Sequence, residues 1–459
     1  MFFQRIETPG IAHFAYILGG GGAAALIDPA RDVERYLGIL RRNGLTLHYV
    51  LETHRQEDFE MGGAALRAIT GAEIAACDHE LMPHADRKLK DGETFSLGGG
   101  ISFRALHVPG HTPESMCYAV ILDEAPDSVW AVFTGDALFM GDTGRTDLTD
   151  AEKTGEHAGE LYDGLHEKIF PLGDQALVLP AHGPGSACGG NVAGREWSTL
   201  GIERRANAAG RLTRDGFIRH KLSEQMARPP YFRLMEEVNL QAGRPLEERP
   251  LAWLSPEDFA GRCANGVVID ARDVEAFAGG HIPGSVNVWQ GGMAIYGGWI
   301  GCAHDPVWLV ADSPEAALDA RLALARIGLD RVEGALAGGF PAWRNTGREV
   351  ATLATTTPRK LAERLKGEGA AILDVREESA FREGHIPGAR HVHAGRLEER
   401  LDDLGLDRNE PVAVTCSVGH RGGLAASLLA RAGYTNVSNL LGGMTAWQKL
   451  DLPTEQSAT

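Results

Sequence analysis

Val268-Ile269-Asp270-Ala271-Arg272 and Ile372-Leu373-Asp374-Val375-Arg376 repeat one pattern, an apolar run closing on Asp-x-Arg. Two further pairs follow it: His281-Ile282-Pro283-Gly284 with His385-Ile386-Pro387-Gly388, and Gly338-Gly339-Phe340-Pro341-Ala342-Trp343 with Gly442-Gly443-Met444-Thr445-Ala446-Trp447. Asp270 and Asp374, His281 and His385, and Trp343 and Trp447 each lie 104 residues apart. Three separated matches at a single offset mark an internal duplication, with copies of an ordinary domain size. Within each copy, short β-rich apolar runs (267–270; 411–415) alternate with helical patterns such as 423–432. That alternation predicts an α/β fold with parallel sheets. A Pro- and charge-rich segment at 244–250 and a Thr/Pro run at 352–358 punctuate the chain, giving expected domains of 1–243, 251–350 and 355–456.

At about 150 residues per domain, a chain of 459 residues also suggests three domains. Forty-five basic against 62 acidic side chains give a net charge of -17, which argues against nucleic acid or an anionic membrane as partner. Hydrophobic residues at 43% and charged residues at 23% suffice for buried cores. The uncharged stretch 11–27 is broken at Gly19 to Gly22, so it predicts strand, turn and strand rather than a leader or a membrane span. Six dispersed cysteines (Cys77, Cys117, Cys188, Cys263, Cys302 and Cys416) form no C-x-x-C pair, which fits free thiols in a reducing cytoplasm.

The first 230 residues carry many short strand-like runs (23–27, 47–51, 101–106, 116–122, 129–133, 176–179) with helical stretches such as 33–43 between them. Such a series predicts a layered α/β sandwich. Four polar clusters follow strands: Thr53-His54-Arg55-Gln56-Glu57-Asp58, Pro109-Gly110-His111-Thr112, Thr134-Gly135-Asp136 and Pro180-Ala181-His182-Gly183. Loops at strand ends can aim side chains at a common point. Two imidazoles and one carboxylate from separate loops form the triad that leaves open positions on non-haem iron(II). His13, His48, His79, His84, His107 and His166 are expected to be structural.

These clusters resemble the metallo-β-lactamase superfamily, whose first motif is T-H-x-H-x-D-H. The resemblance implies an αββα sandwich. Here Gln56 and Phe59 stand where two motif histidines belong, which thins the two-zinc site of the hydrolases. The persulfide dioxygenases of the superfamily use a single iron on the positions of His54, His111 and Asp136. The resemblance to that branch extends through Gly135-Asp136-Ala137-Leu138-Phe139 and Gly144-Arg145-Thr146-Asp147-Leu148. It implies mononuclear iron(II), with zinc as the alternative. Asp58 and His182 are then expected to orient ligands or hydrogen-bond substrate, and Arg145 with Asp147 to form a structural pair near the mouth. Arg55 and Glu57 read either as a solvated pair flanking the site or as groups reshaping the substrate mouth.

In the second copy, Val414-Thr415-Cys416-Ser417-Val418-Gly419-His420-Arg421-Gly422-Gly423 predicts a strand end turning through a short loop into a helix. Backbone N–H groups and a helix N-terminus there favour a thiolate, and Arg421 adds positive charge. Nearly the whole copy resembles the rhodanese sulfurtransferases, which implies a three-layer α/β fold. Cys416 and Arg421 are the expected catalytic residues, and Ser417, Val418, Gly419 and His420 the sulfur-binding loop. Related phosphatases use a loop one residue longer. The first copy has Asp312-Ser313-Pro314-Glu315-Ala316-Ala317 at the matching place, without a thiol. It is expected to be a degenerate spacer or dimerisation module, with Cys263 and Cys302 as packing residues.

The whole chain resembles bacterial persulfide dioxygenase–rhodanese fusions. The resemblance implies oxidation of a glutathione, coenzyme A or cysteine persulfide by O2 to sulfite and thiol. A Cys416 persulfide would exchange sulfur with sulfite or thiosulfate. It implies no nucleic-acid or membrane partner and a homodimer or tetramer. Two alternatives stand beside it: a zinc thioester hydrolase of the glyoxalase II kind fused to a sulfurtransferase, and a sulfur carrier with an inactive N-terminal domain.

Overall fold

Along the strand His13–Gly20, Phe14, Tyr16 and Leu18 enter one apolar layer while Ala15 and Ile17 enter another. A strand buried on both faces needs a cover on each side. In the computed structural model, which describes residues 1–224, 226–247, 249–300, 305–367 and 369–456, those covers are a second sheet and helices. Cys302 lies outside the described residues.

The chain divides into two units, Met1–Glu224 with Phe232–Glu247, and Gln225–Tyr231 with Glu248–Thr459. In the first unit a six-stranded sheet runs in chain order from Phe2–Thr8 to Arg87–Leu89. A five-stranded sheet is ordered Leu177–Pro180, Val129–Gly135, Met116–Leu122, Ile101–His107, Thr94–Gly98. Tyr16, Ile27 and Leu51 from one sheet meet Phe103, Tyr118 and Phe133 from the other in the central core. Tyr36 and Leu40 of the helix Glu34–Arg42 cover the outside of the first sheet. Ala158 and Leu161 of the helix Thr154–Gly164 cover the outside of the second. This is the αββα layering.

The second unit holds two five-stranded parallel sheets with the same topology. One is ordered Trp253–Leu254, Val332–Leu336, Val307–Val310, Val267–Asp270, Val286–Asn287. The other is ordered Ala354–Thr356, Val437–Leu440, Val412–Thr415, Ala371–Asp374, Arg390–His391. The repeated Asp-x-Arg motif does the same work in both. Arg272 donates to Asp270 at 2.6 Å and to the Gly280 carbonyl at 2.8 Å. Arg376 donates to Asp374 and to the Gly384 carbonyl, each at 2.7 Å. The His281 ring stacks on Phe277 and the His385 ring on Phe381, both at 3.8 Å. Among the described residues no helix is long and apolar enough to cross a membrane.

Candidate metal centre and sulfur-transfer loop

His54, His111 and Asp136 follow the strands Thr46–Leu51, Ile101–His107 and Val129–Gly135. Asp136 can approach because its neighbour is glycine. Gly135 has φ +52°, and a Cβ on it would lie 2.6 Å from the Thr53 hydroxyl. The Thr53 hydroxyl donates to Asp28, so at 2.9 Å it accepts from Nδ1–H of His54. Nδ1–H of His111 donates to the Arg145 carbonyl at 2.9 Å. Both rings therefore present the bare Nε2 lone pair inward, the orientation that metal ligation requires.

Those Nε2 atoms are buried without a hydrogen-bond partner. Asp136 Oδ2 lies 3.4 Å from that of His111 and 3.9 Å from that of His54. Ligands about 2.1 Å from one ion lie within about 4.2 Å of each other, so these residues fit a metal. Burial lowers the His54 pKa to about 3, which keeps its lone pair free. Burial opposes a charge on His111 too, but Glu57 and Asp136 outweigh it and raise its pKa, so protons compete with metal there.

His182 meets two carboxylates. Its Nδ1 lies 2.8 Å from Asp136 Oδ1 and its Nε2 2.9 Å from Asp58 Oδ2. Burial works against the imidazolium, but Asp136 and Asp58 raise its pKa well above the ordinary value. Reciprocally, His182 overcomes burial to hold Asp136 below the usual carboxylate range. Asp58, His182 and Cys188 form a second group with donor atoms close together. Burial pushes the Cys188 thiol well up, away from the thiolate a metal needs. Phe59 packs on the His13 ring at 4.0 Å. Arg145 and Asp147 form a two-pronged pair at 2.6 and 2.7 Å, on the loop whose carbonyl fixes His111.

The solvated Arg55–Glu57 pair is not what the structure holds. Both residues are buried, with Glu57 0% exposed, and their nearest charged atoms stand 3.8 Å apart. The cause is distant in sequence: the Asn239 amide donates to the carbonyls of Gln56 and Phe59, closing the segment over the loop. Burial pushes Glu57 up to about 7. Glu57 and Cys188 are site-facing groups that motif reasoning left unassigned. Glu57 lies inside the first motif, and Cys188 six residues past His182.

Cys416 directly follows the strand Val412–Thr415 and is 1% exposed. Its Sγ accepts from the Gly419 N–H at 3.1 Å, just before the helix His420–Arg431. Gly419 has φ +117°, a conformation that favours glycine. Arg421 donates to Ser417 Oγ at 2.9 Å and to Glu377 at 3.4 Å. Val418 and His420 are exposed.

Two groups from the first copy reach this loop. The Trp289 ring stacks on His420 at 5.1 Å, and the Tyr296 hydroxyl lies near enough to Arg421 and Cys416 to interact electrostatically with both. Asn287 N–H donates to Ser427 Oγ at 3.0 Å, tying the copies together behind it. The first copy therefore supplies part of the wall around the thiol, beyond acting as a spacer. At its own degenerate loop it keeps a cavity of about 550 Å³ lined by Trp253, Asp312, Ser313, Pro314 and Leu318.

Residues 8–182 match the metallo-beta-lactamase superfamily, and residues 255–346 and 357–450 each match the rhodanese-like domain. The mitochondrial persulfide dioxygenase ETHE1 of Homo sapiens is 28% identical over 53% of this chain and 89% of its own length. A hydroxyacylglutathione hydrolase of Methylococcus capsulatus is 32% identical over 51% of this chain and 88% of its own. A solved metallo-beta-lactamase from Staphylococcus aureus subsp. aureus COL is 26% identical with a TM-score of 0.66, covering 73% of this chain and 98% of that one. That coverage exceeds what the first unit alone contains. The chain therefore belongs to the metallo-beta-lactamase superfamily, as a persulfide-dioxygenase-like domain followed by two rhodanese-like domains.

Proposed function

We propose that the protein uses one iron(II) ion to oxidise the terminal sulfur of a low-molecular-weight persulfide with dioxygen, and that it passes sulfane sulfur through Cys416. The observation that carries this reading is the pair of imidazoles whose Nδ1–H groups are pinned and whose Nε2 atoms face Asp136. The persulfide dioxygenase relative and the rhodanese-like domains support it. Iron(II) held there would supply open positions and a route for electrons from the persulfide sulfur to O2.

The chain's own residues do the rest. His54, His111 and Asp136 hold the ion, and the His182 imidazolium fixes the Asp136 carboxylate. In the overall reaction, persulfide, O2 and water give thiol, sulfite and two protons. At Cys416 the thiolate attacks the outer sulfur of a low-molecular-weight persulfide; that donor's S–S bond breaks, its thiol is released, and Cys416 becomes the persulfide. Sulfite then attacks its outer sulfur: the Cys416 S–S bond breaks, the S–S bond of thiosulfate forms, and the thiolate returns. Gly419 N–H and Arg421 offset the negative charge throughout. The covalent link between domains raises the local concentration of the shared intermediate.

Glutathione persulfide is the first substrate to test, because a hydroxyacylglutathione hydrolase is among the relatives. Oxygen uptake on it by anaerobically purified protein, with iron quantified in parallel, tests the reading. The same relative supports the zinc hydrolase as rival. Stoichiometric zinc without oxygen uptake would decide for that rival. Transfer lost in Cys416→Ser, with no turnover altered by His111→Ala, would decide for a sulfur carrier.

A further inference from the structure

We propose that Glu57 is a fourth protein ligand of the ion held by His54, His111 and Asp136. Glu57 Oε2 lies 3.7 Å from Nε2 of His111 and 4.0 Å from Nε2 of His54. Asp136 Oδ2 stands 3.4 and 3.9 Å from the same nitrogens. Each carboxylate thus faces the same pair of lone pairs at a separation expected of two atoms that share an ion, with Glu57 flanking the mutually close group His54, His111 and Asp136.

A cation would also stabilise the buried Glu57 carboxylate. Neither carboxylate oxygen has a hydrogen-bond partner, and the residue is inaccessible to water. Arg55 is held 3.8 Å off, on the Oε1 side, which leaves Oε2 facing the imidazoles. A buried carboxylate without hydrogen bonds is placed at high cost unless a positive charge faces it.

Two carboxylates would neutralise a divalent ion. Two imidazoles and two carboxylates on a six-coordinate ion leave two positions, one for a sulfur and one for O2, where the three-residue triad leaves three. The site would therefore admit one substrate pair and exclude a further water. This inference rests on a single-ion centre at these residues, but its test does not depend on which metal the cell supplies.

The test uses cobalt(II) as a spectroscopic probe of the full-length apoprotein, with the far-ultraviolet circular dichroism of each variant recorded first. Glu57→Gln is expected to weaken cobalt(II) binding by at least about tenfold, the lower end of what loss of even a supporting metal-site group costs. It is also expected to shift the visible d–d bands, with Glu57→Asp falling between. Equal affinity and identical bands in wild type and Glu57→Gln would overturn the assignment. A wild-type infrared difference spectrum covers the case of a variant that does not fold. Two carboxylates perturbed on metal binding support the inference, and one contradicts it. Failure of the oxygenase reading would show separately, as cobalt spectra of this form in a protein that consumes no O2 when loaded with iron.

Discussion

The two rhodanese-like copies share their scaffold down to single hydrogen bonds and differ at the loop that carries Cys416 in the second. Trp343 and Trp447 each donate Nε1–H to a carbonyl six residues on, both at 2.9 Å. Gly339 and Gly443 both take positive φ, and a Cβ on either would collide with the carbonyl of Ala311 or Cys416. At the loop the copies part. In the second, three residues separate Cys416 from the helix that starts at His420. In the first, Ser313 caps a helix that already starts at Pro314, accepting from Ala316 N–H at 3.1 Å. Glu315 stands in the place of Gly419, so the first copy has wound its loop into helix and put acid where an anion would sit. Losing the thiol was one change among several, and the fold did not depend on any of them.

The largest effect expected from this contrast is at the thiol. Cys416→Ser should reduce thiosulfate–cyanide sulfurtransferase to background while leaving oxygen uptake on persulfide intact. Asp312→Cys should create no transferase, because the first copy lacks the loop as well as the sulfur. Activity in that variant would mean that position alone suffices.

Next come the paired arginines. Arg272→Ala and Arg376→Ala each strand a buried aspartate, which costs about 3–5 kcal/mol when one partner of a buried pair is removed. Denaturant melts should show losses of similar size in the two copies. A loss confined to one would break the structural equivalence.

A smaller effect tests what the first copy still contributes. Burial raises the Tyr296 hydroxyl to about 12, so it stays protonated beside Arg421. Against burial, Tyr296, Cys416 and Glu377 together raise the Arg421 pKa. Tyr296→Phe should lower transferase kcat/KM about tenfold, equivalent to about 1.4 kcal/mol, without changing the thermal midpoint. An unchanged kcat/KM would reduce the first copy to a spacer.

The smallest effect is a pH dependence confined to the second copy. Burial works to raise Glu377, but the His393 hydrogen bond and the charges of His393 and Arg421 hold it below its ordinary 4.5. A folded pKa below the unfolded one means that the stabilisation is full above the ordinary value and is lost as pH falls through the lowered one. The Glu377 side chain is 47% exposed, so solvent screens the pair and the effect is slight. Glu377→Gln should flatten the acid limb of a pH-stability curve. An unaltered limb would remove Glu377 from the loop's electrostatics.

Much of this was legible in the sequence because it is written in short local runs. The duplication, the layered first domain, the triad at strand ends and the Cys416 loop each occupy a few contiguous residues whose spacing carries their meaning. The groups the sequence hid are set by distant contacts. Glu57 lies in the first motif, but its burial depends on Asn239, far along the chain. Tyr296 belongs to the helix Met293–Ile300, which carries no motif, and its partner Arg421 belongs to the other copy. Cys188 follows His182 without a recognisable pattern, and only folding brings it beside Asp58.

His54, His111 and Asp136 are proposed to grip a single redox-active ion. The most direct measurement loads the anaerobic protein with metal and follows O2 consumed against glutathione persulfide supplied. About one iron bound per chain and about one O2 taken up per persulfide are expected, with uptake abolished in His111→Ala and preserved in Cys416→Ser. Two zinc ions per chain and no oxygen uptake, with a thioester cleaved instead, would contradict that proposal.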